Sequence, residues 1–242
     1  MKFKAIAVIA TAAALSVGMA GSAAALPLSH QAKPAPQVTG VRLQSALLPA
    51  SAFGSGFKVA QRLNTGKKLW SGRVWTKPSK LSCANFEMYI YVGGFGNTAG
   101  ATDGVNNPNP AIADYPSLVL DGDQTVLQFK TAQAASSFYN QAYTRYKQCS
   151  AFTETDPFDN SIRFELSTQS LSKTTIRKHQ AFQLIQYVDL SALPALNFYQ
   201  NTAVVLAGTN VYTIDDLNGT NDPISVSLMG NLINRVQALY KH

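Results

Sequence analysis

Histidine, cysteine and charge are all scarce in this 242-residue chain, and each scarcity closes off some chemistry. The three histidines are His30, His179 and His242. None stands in a His/Cys cluster of zinc-ligand spacing, so no metal site is expected. His30 falls in a proline-rich stretch and His242 is the last residue, which leaves His179, beside Arg177 and Lys178, as the one histidine available to a folded site. No G-x-S-x-G segment accompanies it, so a Ser-His hydrolase has little to stand on. The glycines of Gly93-Gly94-Phe95-Gly96 lack the GxxxxGK[ST] spacing of a phosphate loop. Asp121-Gly122-Asp123 lacks the further acidic positions and closing Glu of a calcium loop, and reads instead as a β-turn. Only 14% of residues are charged, and Asp103, Asp114, Asp156 and Glu165 are too scattered to be paired from sequence. The chain is therefore expected to be non-catalytic and to need no cofactor. No apolar run after residue 25 is long enough to span a bilayer, and there is no internal repeat or low-complexity tract.

What the chain does have begins with an export signal. Met1-Lys2-Phe3-Lys4 is a short basic region, Ala5 to Met19 is apolar and uncharged, and Ala23-Ala24-Ala25 is a small-residue cleavage site. Residues 1–25 are read as a signal peptide, with no stable membrane insertion after cleavage and no cysteine near the cut for a lipid anchor. Cleavage also removes Lys2 and Lys4 from a formal net charge of +7. The remaining Lys and Arg are dispersed, so the charge serves solubility and a loose affinity for anionic polymers, and nucleic acid is not an expected partner outside the cell. In an oxidising compartment Cys83 and Cys149, which lack C-x-x-C spacing, are expected to form one structural disulfide rather than remain two free thiols or a redox pair.

Residues 26–40, with Pro27, Pro34 and Pro36, read as a flexible lead-in to a domain at 41–242. Val41 to Leu48 suits a short helix ended by Pro49. Phe57 to Trp75 reads as a pair of strands, and Cys83 to about Val92 as a helix capped by Ser82 or as a strand. Gly93 to Pro116, rich in Gly, Asn and Pro, reads as a long binding or mobile loop. Thr125 to Phe129 is a strand. Thr131 caps a helix to about Gln148 whose apolar face is Ala135, Phe138, Tyr139, Ala142 and Tyr146; at that spacing the tyrosines belong to the core. Ser161 to Leu166 and Ala181 to Leu190 are strands, with Ala192 to Tyr199 a connector. Thr202 to Ala207 and Asn210 to Ile214 form a hairpin across Gly208-Thr209. Asp222-Pro223 opens a last helix, about 223–240, with Leu228, Leu232, Ile233, Val236 and Tyr240 turned inward.

The order of landmarks resembles that of the PknH-like extracellular sensor domains of actinobacteria. The residues that carry the likeness are Leu47-Leu48-Pro49 with Phe53, Ser82-Cys83, Val126-Leu127-Gln128-Phe129 with Ala134-Ala135 and Phe138-Tyr139, and then Cys149. A β-hairpin and a final helix ending near Arg235-Val236 complete the order over about residues 41–240. The resemblance implies an α+β domain, an antiparallel sheet with helices packed on it, and a cleft for an unidentified ligand. The chain departs from the family in having cysteines for one disulfide where the kinase sensor has two, and in carrying no kinase domain, spanning helix or lipid anchor.

Together these readings describe a stand-alone, secreted, sensor-like binding domain in the cell-wall space, recognising a small molecule or envelope fragment. Strand position nominates Gln128, Arg163, Gln183, Gln186 and Tyr187 as ligand-binding residues. An alternative is a cell-wall glycan-binding protein that uses Trp70, Arg73 and Trp75 as a basic, aromatic patch; that reading competes with one in which the indoles cover the core. A secreted hydrolase is the third reading.

Overall fold

Alternating side-chain character along most of the strands, and three- and four-residue spacing in the helices, generate one large sheet covered on both faces. The structure is a computed structural model, and it describes residues 36–63, 83, 96–106, 122–155, 163–190, 197–216 and 221–241. In chain order these residues form α1 (Gly40–Ala46), a single 3-10 turn (Ala50–Ala52), β1 (Lys58–Leu63), β2 (Asn97–Asn106), β3 (Gly122–Phe129) and α2 (Ala132–Gln148). β4 (Ala151–Thr155), β5 (Arg163–Ile176), β6 (His179–Leu190), β7 (Phe198–Ala207), β8 (Asn210–Asp216) and α3 (Val226–Ala238) follow. All eight strands pair antiparallel, in the order β1-β2-β3-β8-β7-β6-β5-β4. The α+β class expected from the sequence is the one observed.

One face of the sheet is covered by α1 and α3. Leu43 and Ala46 of α1, Leu47 and Leu48 beyond it, and Met229, Leu232, Ile233 and Val236 of α3 pack against Ala99, Ala101, Val126, Ala203, Val205, Tyr212 and Ile214. The carbonyl ends of α1 are met by Arg235, whose Nε donates to the Ala46 carbonyl at 2.9 Å, a cation placed where the helix dipole favours one. The opposite face is covered by α2. Thr131 accepts from the Ala134 N–H at its start, and Arg145 and Lys147 stand in its last turn. Its expected apolar face is the buried one, packed on Leu127, Phe129, Phe182, Leu184, Val204 and Val211. Phe182 is the hub: the rings of Tyr139, Tyr143 and Tyr146 lie 5.3, 5.6 and 5.9 Å from it, so the tyrosine stripe is core. Beyond the end of α2, Cys149 is bridged to Cys83, with Cα atoms 5.5 Å apart. The bridge sits among Phe152, Phe164, Leu166, Val188 and Leu190. It closes a loop of 66 positions, which constrains the unfolded chain by about 4 kcal/mol in the chain-entropy model.

Several segments differ from expectation. The long loop placed at Gly93–Pro116 is a ten-residue strand over Asn97–Asn106. Its small residues argue against a strand locally, yet Ala99 and Ala101 let α1 lie close, and pairing on both sides overrides propensity. The β-turn placed at Asp121–Asp123 is replaced at Gly122 and Asp123 by the start of β3. A Cβ on Gly122 would stand 2.7 Å from the Asp215 carbonyl oxygen, so glycine here permits close approach of β8 rather than a turn. Phe198 and Tyr199 belong to β7 and not to a connector. Ser225, not Asp222, caps the last helix, because Ile224 is drawn into the core just before it. β5 runs ten residues beyond the expected Leu166, and β4 was not anticipated. β1 pairs with β2; its expected sequence neighbour up to Trp75, and the element expected after Cys83, lie outside the described residues. Among the described residues no helix is long and apolar enough to cross a membrane.

Candidate functional site

On the α2 face, the strands share a pattern that the register turns into a site. Every second residue of β3 reads Asp123, Thr125, Leu127, Phe129; of β8, Val211, Thr213, Asp215; of β7, Phe198, Gln200, Thr202, Val204, Leu206; and of β6, Phe182, Leu184, Gln186, Val188, Leu190. β3 and β8 are polar at one end of this face and apolar at the other, whereas in β7 and β6 the polar positions lie between the apolar residues under α2 and those around the disulfide. Antiparallel pairing sets Asp123 opposite Asp215, Thr125 opposite Thr213, Asp215 opposite Thr202, Gln200 opposite Gln186 and Gln186 opposite Thr168. The polar positions meet in a band that crosses β3, β8, β7, β6 and β5.

Part of the band is internally satisfied. Thr125 donates to the Thr102 hydroxyl at 2.7 Å, and Gln200 Nε2 donates to Asp215 Oδ2 at 3.3 Å. The rest is not. Gln186 is fully buried and Thr202 is 1% exposed, and neither amide atom of Gln186 nor the Thr202 hydroxyl has a hydrogen-bond partner. The enclosed Oγ1 of Thr168 and Oδ1 of Asp123 are also without partners. Enclosure alone drives the Asp123 carboxyl well above the ordinary carboxylate range, because removing the charge from water disfavours the ionised form. A neutral Asp123 is a hydrogen-bond donor as well as an acceptor. Buried polar atoms are normally paired, and each left unpaired costs about 1–3 kcal/mol. Their concentration in one band is what marks it.

The five residues nominated from strand position do not converge. Gln186 lies in the band. Gln128 lies on the α1/α3 face. Its Oε1 accepts from the Val38 N–H at 3.0 Å and from the Tyr240 hydroxyl at 2.7 Å, while its Nε2 donates to the Val38 carbonyl at 3.1 Å. Gln183, on the same face, donates to the Ile224 carbonyl at 2.9 Å. Arg163 stands 3.7 Å from Glu165 in an ion pair that is more than half exposed on both sides. The Tyr187 ring packs 5.3 Å from that of Tyr199, and its hydroxyl accepts from Asn197 Nδ2 at 3.0 Å. Tyr187 also lines an open depression of about 350 Å³ with Thr153, Glu165, Ser167 and Asp189. His179 Nε2 lies 3.4 Å from Gln237 Nε2, the one polar contact of its ring among the described residues. Trp70, Arg73 and Trp75 lie outside the described residues. Asp123, Thr168 and Thr202 were not anticipated, although polar residues at alternate, otherwise apolar positions of four strands were present in the sequence.

No family model matches the chain, and no curated protein matches it. Among solved structures, a putative uncharacterized protein from Mycobacterium smegmatis, an Rv0999 ortholog, aligns with a TM-score of 0.36 and 8% identity over 81% of this chain and 95% of its own. The extracellular domain of PknH from Mycobacterium tuberculosis aligns with a TM-score of 0.62 and 16% identity, over 85% of this chain and 98% of that one. At that identity the likeness concerns architecture: this chain is similar in fold to the extracellular domain of PknH.

Proposed function

We propose that this protein is an exported, non-catalytic, sensor-like domain that binds a small molecule or envelope fragment on the α2 face of its sheet. The observation that carries the reading is the band of buried polar atoms without partners, centred on Gln186 and Thr202. A folded domain gains nothing by enclosing such atoms unless an occupant pairs with them. The fold likeness to an extracellular domain and the Cys83–Cys149 bridge support placement outside the cytoplasm, with residues 1–25 removed on export and an actinobacterial source. The bridge occupies both cysteines structurally, and His179 faces Gln237 rather than a nucleophile.

Native mass spectrometry of the protein purified from its own culture medium tests this directly. The expected spectrum shows a chain lacking residues 1–25 and carrying an added mass that departs on denaturation. The added mass should be absent from a Gln186→Leu, Thr202→Val double variant. A bare chain in both proteins, or an added mass that survives the double substitution, overturns the proposal.

A further inference from the structure

The chemistry of the band also selects the kind of molecule that fits it, an inference that rests on the reading of this face as a ligand seat. The unpartnered atoms are mixed in character. Gln186 offers two donor hydrogens and an acceptor, the hydroxyls of Thr168 and Thr202 each donate and accept, and Asp123 Oδ1 completes the set. No Lys or Arg stands at the polar positions of this face in β3, β8, β7 or β6, or beside Thr168 at its position opposite Gln186. Among the described residues an anionic ligand there would therefore meet no counter-charge, and burying it so is costly. Of those unpartnered atoms, the ones on Gln186, Thr168 and Thr202 are uncharged, and burial favours a protonated Asp123. From Asp123 to Thr168 the band crosses four strand-to-strand steps, about 19 Å at the usual spacing. Its length and its mixture of donors and acceptors match a molecule whose own groups both donate and accept, repeated along an extended chain.

We infer that the polar band of the α2 face binds an uncharged, hydroxyl-rich ligand, a short neutral saccharide, with Gln186 and Thr202 as its principal contacts. A carboxamide meets a pair of neighbouring sugar hydroxyls by donating to one and accepting from the other, and the threonine hydroxyls extend that pattern along the band.

Isothermal titration of the exported chain with named trisaccharides tests the inference. Maltotriose, cellotriose and N-acetylated chitotriose are the neutral probes; a glucosamine trimer and a trigalacturonate are the cationic and anionic controls. The expected result is binding of at least one neutral probe, weakened tenfold or more by Gln186→Leu and by Thr202→Val. The same probe should shift the Gln186 side-chain amide resonance, assigned by its loss in the Gln186→Leu protein. Both substitutions replace an unpaired polar group with an apolar one of similar shape, and far-UV circular dichroism confirms that the variants fold. Binding of a charged trimer alone, sensitive to Gln186→Leu, overturns the ligand class while leaving the binding function in place. The same holds for a retained non-saccharide in the native spectrum. Neutral binding unchanged by both variants overturns the location. No binding of any probe, with no retained mass and ordered water on Gln186 and Thr202 in a crystal, overturns the ligand and the function together.

Discussion

Gln124 and Gln128, on the α1/α3 face, each hold the backbone of one residue from both sides. Gln124 accepts from the Leu48 N–H and donates to the Leu48 carbonyl, both at 2.8 Å; Gln128 does the same for Val38. Gln183 secures Ile224 at the entry to α3. On the α2 face Gln186 is just as buried and holds nothing. Gln128 and Gln186, both buried glutamines on central strands, therefore do different work, and neither residue type nor burial separates them. What separates them is where each hydrogen bond goes. On one face the amides fasten irregular backbone that approaches the sheet, satisfying groups that would otherwise be orphaned. On the other face α2 covers the apolar residues with a backbone already paired internally, and Gln186 and the Thr202 hydroxyl have no hydrogen-bond partner.

The largest effect that would disturb this comparison is removal of the bridge that braces the α2 face. The Cys83→Ser, Cys149→Ser double variant is expected to lose about 4 kcal/mol in urea unfolding, and ligand retention should fall with it. Next is Gln128→Leu. It strands the Val38 N–H and carbonyl, while the Tyr240 hydroxyl keeps Asn210 Oδ1 at 3.1 Å, and a loss of about 3 kcal/mol is expected from unpaired buried groups. Gln186→Leu sharpens the contrast from the other side: without ligand it should be neutral or stabilising by up to about 1 kcal/mol, read as an unchanged or raised Tm. Should Gln186→Leu cost as much as Gln128→Leu, the two faces would be equivalent and the site reading would fail. The last effect depends on pH and concerns Asp123. Folding raises its affinity for a proton, so the native state holds more protons than the unfolded chain from the ordinary carboxyl value of 3.8 upward. Its contribution is most favourable below that pH and is lost as pH rises towards the raised native value. Asp123→Asn should remove this downward slope, measured as the difference between urea midpoints at pH 4 and pH 7.

Much of the fold could be read from local pattern. α2, with its Thr131 cap and its Phe138, Tyr139 and Tyr146 face, the β7–β8 hairpin at Gly208-Thr209 and the cysteine pair each carry their instructions within a few residues or in a count of two. β2 could not be read that way. Asn97–Asn106 has the composition of a loop, and it becomes a strand because β1 and β3 flank it and α1 lies over its alanines. Gly122 misled for a related reason, since its lack of a side chain answers a contact with Asp215 more than ninety residues away. The candidate site was legible only in part. Position along a strand identified Gln186 but equally Gln128 and Gln183, because partners such as Val38 and Ile224 are set by the path of distant chain. The polar positions that interrupt apolar alternation on β3, β6, β7 and β8 were a better signal, as they occur on four strands and need only antiparallel pairing to become a surface.

The strand order also bears on how the molecule reaches its native state. From β3 the chain leaps to the far edge of the sheet, and α2 is the length that carries it: its 17 residues rise about 25 Å, against about 24 Å for the five strand steps from β3 to β4. The chain then returns by hairpins, β4 to β8, until β8 meets β3. That junction pairs Leu127 with Val211 and Asp123 with Asp215, and it joins partners far apart in sequence while every other step of the return is local. Closing such a separation is entropically slow. The Cys83–Cys149 bridge offers no shortcut to it, because Leu127 lies inside the bridged loop and Val211 beyond it. Refolding speed should therefore be governed by the β3–β8 junction and be nearly the same with the bridge oxidised or absent, leaving the bridge to slow unfolding instead.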